Sequence, residues 1–454
     1  MKNRELFASR SVWSVIMKMS VPALVTILVM LLYNMADMYF VAWTGDYAQV
    51  ASVSLVMPVF TILMAVSTMI GNGGCTRIAQ AFGSGDREKA RGYASVAAWA
   101  SIAAGVLVAA LCFLFQEPFL TVLGANEQMR PHARAYLLIL AAGAPLILLN
   151  HTLGNTVRGE GAVKEGMMGS LAATVTNIAL DPLFIAVLGL GTGGAAAATV
   201  LGNGVGVLYY LFYKKKHETL LTFDPVLAVR NARSLGGILA LGAPNAISSV
   251  LAGFASTFGN RILVSYGTEA VAAMAAAGKT TMIITMVQMG VCMGVQPFLA
   301  YCSGAGDTAR SKEAVRKLAL LTGGLGLGLG AVCFLGREQI IGLFIKDAQV
   351  LALGQEMASV LILSAPFMGI FFLGTNYLQA SGRALAASVI SVLRQGVLLI
   401  PFLYLGSALL GLTGITAAYV AADAVSIAVS AVFLLWAMRG ERKGKVQPVS
   451  SVQA

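Results

Sequence analysis

Gly-Ser-Gly-Asp-Arg-Glu-Lys-Ala at 83–90 and Gly-Ala-Gly-Asp-Thr-Ala-Arg-Ser at 304–311 are two copies of one polar link, each following a long apolar stretch. The same spacing leads back from them to Gly73 and Gly294. Outward from this pair, self-similarity continues along the chain at an offset of about 221 residues. Pro22 pairs with Pro244, Gly45 with Gly267, Pro145 with Pro366 and Pro182 with Pro401. Ala-Leu-Cys-Phe-Leu from 110 matches Ala-Val-Cys-Phe-Leu from 331. The chain is therefore a tandem repeat.

What is repeated is set by composition. Of 454 residues, 57% are hydrophobic and 11% charged, whereas a soluble domain carries roughly one-quarter charged residues. A helix needs about 20 apolar residues to cross roughly 30 Å of hydrocarbon, and twelve such stretches occur, from 14–43 to 411–437. Six fall in each half, so both halves enter the bilayer in the same orientation, related by an axis along the membrane normal. The expected fold class is an all-α polytopic membrane protein of twelve transmembrane helices in two six-helix lobes. Its parts are an N-lobe over 1–213, a cytoplasmic connector over 214–235, a C-lobe over 236–438 and a cytoplasmic tail over 439–454. A cleft between the lobes is where such repeats place substrate. The first apolar stretch runs well past a signal-peptide core and reads as a retained span.

The net charge of +11 does not point to nucleic acid, because the basic residues follow topology. Twenty-three of the 31 lie before the first span, in alternate links or in the tail, while the opposite loops hold only Arg130, Arg134, Arg337 and Lys346. This asymmetry predicts a multi-pass protein of the cytoplasmic membrane with both termini in the cytoplasm. The lipid bilayer is its expected partner and a monomer its expected unit. Cys75, Cys112, Cys292, Cys302 and Cys333 fall in apolar stretches without metal-ligand spacing, as small core residues do.

Of the twenty acidic residues, only Asp37, Asp181 and Asp423 lie within apolar sequence. An ionised carboxylate in hydrocarbon costs several kcal/mol, so each must face a cavity, pair, or take up a proton. Tyr33 lies four residues before Asp37 and Asn177 four before Asp181, so each pair shares a helix face. Thr199 on the next span joins them by depth. At about 1.5 Å per residue from the outer span ends, Asp37 is roughly 10 Å deep and Asp181 and Thr199 roughly 12 Å. Pro182 removes an amide donor beside Asp181 and should loosen the helix there. Hard oxygen ligands suit Na⁺ and desolvated carboxylates suit H⁺; hydrogen bonding between helices is the plainer role for the same residues. Asp423 reads differently: Arg394 on the preceding span lies at a similar depth, which predicts a structural ion pair.

On the eighth span Met282, Met286, Met289 and Met293 form one stripe of flexible thioethers. It suits varied apolar ligands as well as ordinary packing, and Met286 and Met289 are candidate cleft residues with Asn260 and Gln296. The glycine run from 323 lies inside a span and reads as close helix packing. Nucleophile elbow, Walker, HExxH and paired-cysteine motifs do not occur, and the histidines are scattered at 132, 151 and 217. Enzymatic chemistry is therefore not expected.

These residues resemble the multidrug and toxic compound extrusion (MATE) transporters over residues 10 to 438. The resemblance rests on the Tyr33 to Asp37 segment, the run from Gly71 to Asp86, Arg-Gly-Glu-Gly from 158, Asn-Ile-Ala-Leu-Asp-Pro-Leu-Phe from 177, the glycine- and alanine-rich run to Thr199, and Gln-Pro at 296. It implies a pair of six-helix lobes that exports organic cations or amphipathic drugs in exchange for inward Na⁺ or H⁺. No cofactor is implied beyond that ion. The family's N-lobe cation site would fall on Asp37, Asn177, Asp181 and Thr199, the positions for Na⁺, with Tyr33 beside them. One branch also uses acidic residues on spans seven and ten, where this chain has Asn260, Asn376 and Gln379. Asp37 aligns near Gly259 or Asn260 and Asp181 near Phe402, so ion coupling is expected in one half. The alternative transporter reading, a flippase for lipid-linked precursors, calls for a strongly cationic central cleft, and the cations within the spans are few and peripheral.

Overall fold

The computed structural model describes residues 6, 7, 9, 11–42 and 47–440, without the side chains of 30–39, 41, 42, 47 and 440. The described residues are helical almost throughout, as a backbone in hydrocarbon must be to satisfy its own polar groups. The first half of the chain holds α1 (Val12–Ala42), α2 (Tyr47–Gly83), α3 (Arg87–Leu114), α4 (Arg130–Gly159), α5 (Val163–Val187) and α6 (Gly191–Lys216). The second holds α7 (Leu235–Val264), α8 (Thr268–Ala305), α9 (Thr308–Leu335) and α10 (Ala348–Ala380). A run of 56 residues, Ala384–Arg439, follows. At about 1.5 Å per residue that run is far longer than one crossing of roughly 30 Å. It breaks at Gly411, whose φ of +61° and ψ of −135° are not helical. The run is therefore two spans, α11 (384–410) and α12 (412–440), making twelve among the described residues.

The repeat is visible in local geometry. At the polar links, Gly85 (φ +83°) and Gly306 (φ +68°) take the left-handed conformation that ends one helix. Asp86 and Asp307 then start the next by accepting the backbone N–H of Lys89 at 2.9 Å and Arg310 at 3.0 Å, caps worth about 1 kcal/mol each. Further in, Gly105 of α3 lies against the backbone of Pro145 on α4, and Gly326 of α9 against the carbonyl of Pro366 on α10. Short helices, Gln116–Val122 and Arg337–Gly342, follow α3 and α9. In each unit the fifth span contains a π-helical turn, Leu183–Val187 and Leu393–Leu398.

The units do not divide at the connector over 214–235. One compact unit contains Val21–Ala246, and the other Ser9–Ser20 with the chain from Ile247. The divisions fall beside Pro22 and Pro244, which interrupt the hydrogen-bond ladders of α1 and α7. The first turns of α7 belong with α2: Gly73 meets the carbonyl of Ile238, and Gly242 the carbonyl of Met69, in contacts that leave no room for a Cβ. In the second unit, Arg310 Nη2 donates to the Ser9 carbonyl at 2.7 Å. Each unit thus keeps the opening of the other's first helix.

The central helix of the first unit is α4, which packs on α2, α3, α5 and α6. Large apolar side chains are strongly exposed elsewhere, among them Leu107, Leu114, Leu320, Val332 and Leu335. Such a surface is untenable in water and suits lipid.

Candidate functional site

Asp181 sits near the end of the regular part of α5, fully buried, with Pro182 behind it and the π-helical turn directly after. The proline cannot donate to the ladder, and the wider turn absorbs the mismatch in this carboxylate's own stretch of helix. One turn earlier on the same face is Asn177, 3% exposed. Its Nδ2 lies 3.5 Å from Asp181 Oδ1 and donates to Thr199 Oγ1 of α6 at 3.3 Å. Gly202 makes that approach possible: a Cβ there would meet the Ala173 carbonyl and Asn177 Cβ. Thr199 is 4% exposed. The Asn177 side-chain oxygen is buried and has no hydrogen-bond partner. A carboxylate, a hydroxyl and an amide oxygen thus lie together in an apolar bundle, a donor set suited to a hard monovalent cation or to a proton.

Asp37 and Tyr33 lie within helix α1, but their side chains are outside the described residues. The structure brings together Asn177, Asp181 and Thr199 of the expected set.

Two asparagines that sequence reasoning missed extend the cluster inward. Asn203, one turn after Thr199, donates from Nδ2 to the Thr199 carbonyl at 2.8 Å, and accepts from Asn150 Nδ2 of α4 at 2.9 Å. The available signal was the four-residue spacing between Thr199 and Asn203.

Glu160, between α4 and α5, was also missed because it was counted as a span-end charge. It is only 3% exposed. It accepts the Leu220 N–H at 2.6 Å, the Thr219 hydroxyl at 2.8 Å and the Tyr213 hydroxyl at 3.2 Å. These bonds tie the connector to the first unit, helped by Ser95 Oγ and Trp99 Nε1, which donate to the carbonyls of Asp224 and Phe223. Burial pushes the Glu160 carboxyl up from its ordinary value; the donors, and the charge of Arg87, pull it partly back.

In the second unit, Arg394 Nε meets Asp423 Oδ1 at 2.8 Å, Ser364 Oγ donates to Asp423 Oδ2 at 3.0 Å, and the guanidinium lies over the Phe371 ring. Of the expected cleft residues, Asn260 is exposed and Met286 and Met289 are half-buried. Gln296 is 5% exposed, with its Nε2 donating to Gln379 Oε1 at 2.9 Å.

The MatE family model matches the chain twice, over residues 22–183 and 244–405. The chain belongs to the MatE family. The double match is the repeat read from the sequence, one copy in each half of a MATE transporter. Among the similar relatives, the multidrug export protein MepA of Staphylococcus saprophyticus is 30% identical over 445 residues, covering 97% of each chain. The protein of the same name from Staphylococcus aureus is 29% identical over 441 residues, again with 97% of each covered. A solved MATE in complex with MaD3S has a TM-score of 0.91 at 24% identity, covering 98% of this chain and 99% of that one. An outward-facing multidrug resistance MATE transporter of the MOP superfamily has a TM-score of 0.90, also at 24% identity, with coverage of 98% and 99%. These likenesses extend over the whole bundle and confirm the all-helical, two-lobed MATE fold.

Proposed function

We propose that this protein is a secondary active multidrug efflux transporter, exporting organic cations or drugs from the cytoplasm by antiport with Na⁺ or H⁺. Support for drug export comes from the MepA relatives, named for multidrug export and matched over nearly their whole length. Support for ion coupling comes from one observation above all: Asp181 is fully buried in an apolar bundle, beside Asn177 and Thr199. A carboxylate there is stable when a cation or proton neutralises it. In this reading Asp37 and Tyr33 of α1 complete the site. An ionised site attracts a cationic drug, and an incoming Na⁺ or proton discharges it. The two binding events are therefore linked, with each weakening the other. The protein works from the cytoplasmic membrane with both termini inside.

The test is ethidium movement in liposomes holding purified protein, under separately imposed Na⁺ and proton gradients. Wild-type protein is expected to respond to at least one gradient, and Asp37→Asn to lose that response. Undiminished gradient-driven transport by Asp37→Asn, or no response of the wild type to either gradient, would overturn the proposal.

A further inference from the structure

We infer that Asn203 is a positioning residue for the N-lobe cation site, holding Thr199 in place, and that Asn150 locks Asn203. This rests on the ion-coupled reading of the site. The Thr199 hydroxyl faces Asn177, so its orientation is part of the site. One turn along α6, Asn203 Nδ2 takes the Thr199 carbonyl at 2.8 Å. A carbonyl only accepts, so it dictates which end of the Asn203 amide faces it. The oxygen of Asn203 must then point to α4, where Asn150 Nδ2 donates to it at 2.9 Å. The orientation of both amides is therefore set by the Thr199 carbonyl.

The cost of this arrangement argues for a purpose. Asn150 is 9% exposed and its Oδ1 has no hydrogen-bond partner, a state that costs a buried polar group its hydration without return. A Cβ on Gly206 would run into the Asn150 carboxamide. The amide fits only because α6 has glycine there. An apolar residue at 150 would avoid the unpaired oxygen but give up the bond to Asn203.

The repeat supplies a second, independent observation. Gly191 (φ +53°) and Gly411 (φ +61°) stand at the start of α6 and α12, an offset of 220 that Gly194 and Gly414 share. That offset places Asp423 at the position of Asn203. Asp423 is the C-lobe residue bound by Arg394 and Ser364. Both lobes therefore anchor the sixth span to its neighbours through a polar side chain at this point, and in the N-lobe the anchor lies one turn from the cation site.

The experiment compares wild type, Asn203→Leu and Asn203→Ser in liposomes, measuring ethidium efflux against rising Na⁺ or proton concentration. Asn203→Leu is expected to raise the half-saturating cation concentration about tenfold, or about 1.4 kcal/mol, while the rate at saturating cation changes less than about twofold. Serine keeps a donor for the Thr199 carbonyl, so Asn203→Ser is expected to recover most of the shift. Protection of the detergent-solubilised proteins against heat by the same cation reads binding without a drug and is expected to show the same displacement. Should Asn203→Leu fail to fold, Asn203→Ala carries the same prediction. Unchanged half-saturation in Asn203→Leu, or a lower maximal rate with half-saturation unchanged, overturns the inference. A wild type with no cation response, or an Asp181→Asn variant that keeps it, sinks the coupling proposal itself.

Discussion

The two lobes share a frame but fill it differently. Each has the Gly-Asp link, the glycine of its third span against a proline of its fourth, and a π-helical turn in its fifth. In the N-lobe, that fifth span carries Asn177 and Asp181, facing Thr199. In the C-lobe, the stretch aligned with Asp181 contributes Leu399 and Leu403 to an apolar cluster with Ile415, Ala418 and Ala422. The C-lobe carboxylate, Asp423, lies on the sixth span and is matched by arginine. The two carboxylates differ in both burial and company: Asp181 is fully buried, and Asp423 is partly exposed. One carboxylate is kept beside neutral oxygens and an amide, and the other in an ion pair.

If the shared frame is real, its glycines should be equally intolerant. Gly105→Val and Gly326→Val each place atoms on a neighbouring proline, and each is expected to cost about 3 kcal/mol, seen as a large fall in melting temperature in detergent. A severe effect in one lobe and none in the other would break the symmetry.

Next in size is the C-lobe ion pair. Arg394→Ala leaves Asp423 with Ser364 alone and is expected to cost about 3 kcal/mol, whereas joint replacement by Arg394→Met and Asp423→Leu should come within about 1 kcal/mol of wild type. A double variant as damaged as the single one would show that the charges themselves are needed.

The smallest effect concerns Glu160, for which the C-lobe offers Ser381, with no connector to hold. Its folded-state pKa is raised, so the stability it contributes is present below the ordinary carboxylate range and lost as pH rises through the raised value. Thermal unfolding across that window is expected to show this decline in wild type and its absence in Glu160→Gln. Identical pH profiles would contradict the assignment.

Much of this was legible in the sequence because its causes are local or periodic. Apolar runs reveal spans, and prolines and glycines at one offset reveal the repeat. Asn177 and Asp181 share a face by spacing, and Arg394 and Asp423 matched by depth. What was not legible depends on packing between distant helices. Asn150 meets Asn203 only because Gly206 lets α4 and α6 close together. Glu160 looked like a solvated charge until the connector folded over it. The division at Ala246, within α7, depends on contacts of Gly73 and Gly242 across the bundle. The bond of Gln296 to Gln379 joins residues 83 apart in the chain, which sequence neighbours do not show.

The central claim is that coupling belongs to the N-lobe. Its most direct test is ethidium efflux, under whichever gradient drives the wild type, by Asp181→Asn and by the joint variant Arg394→Met with Asp423→Leu. The account predicts a loss of at least about tenfold for Asp181→Asn and a rate within about twofold of wild type for the C-lobe variant. Gradient-driven efflux that survives in Asp181→Asn and disappears in the C-lobe variant would contradict it.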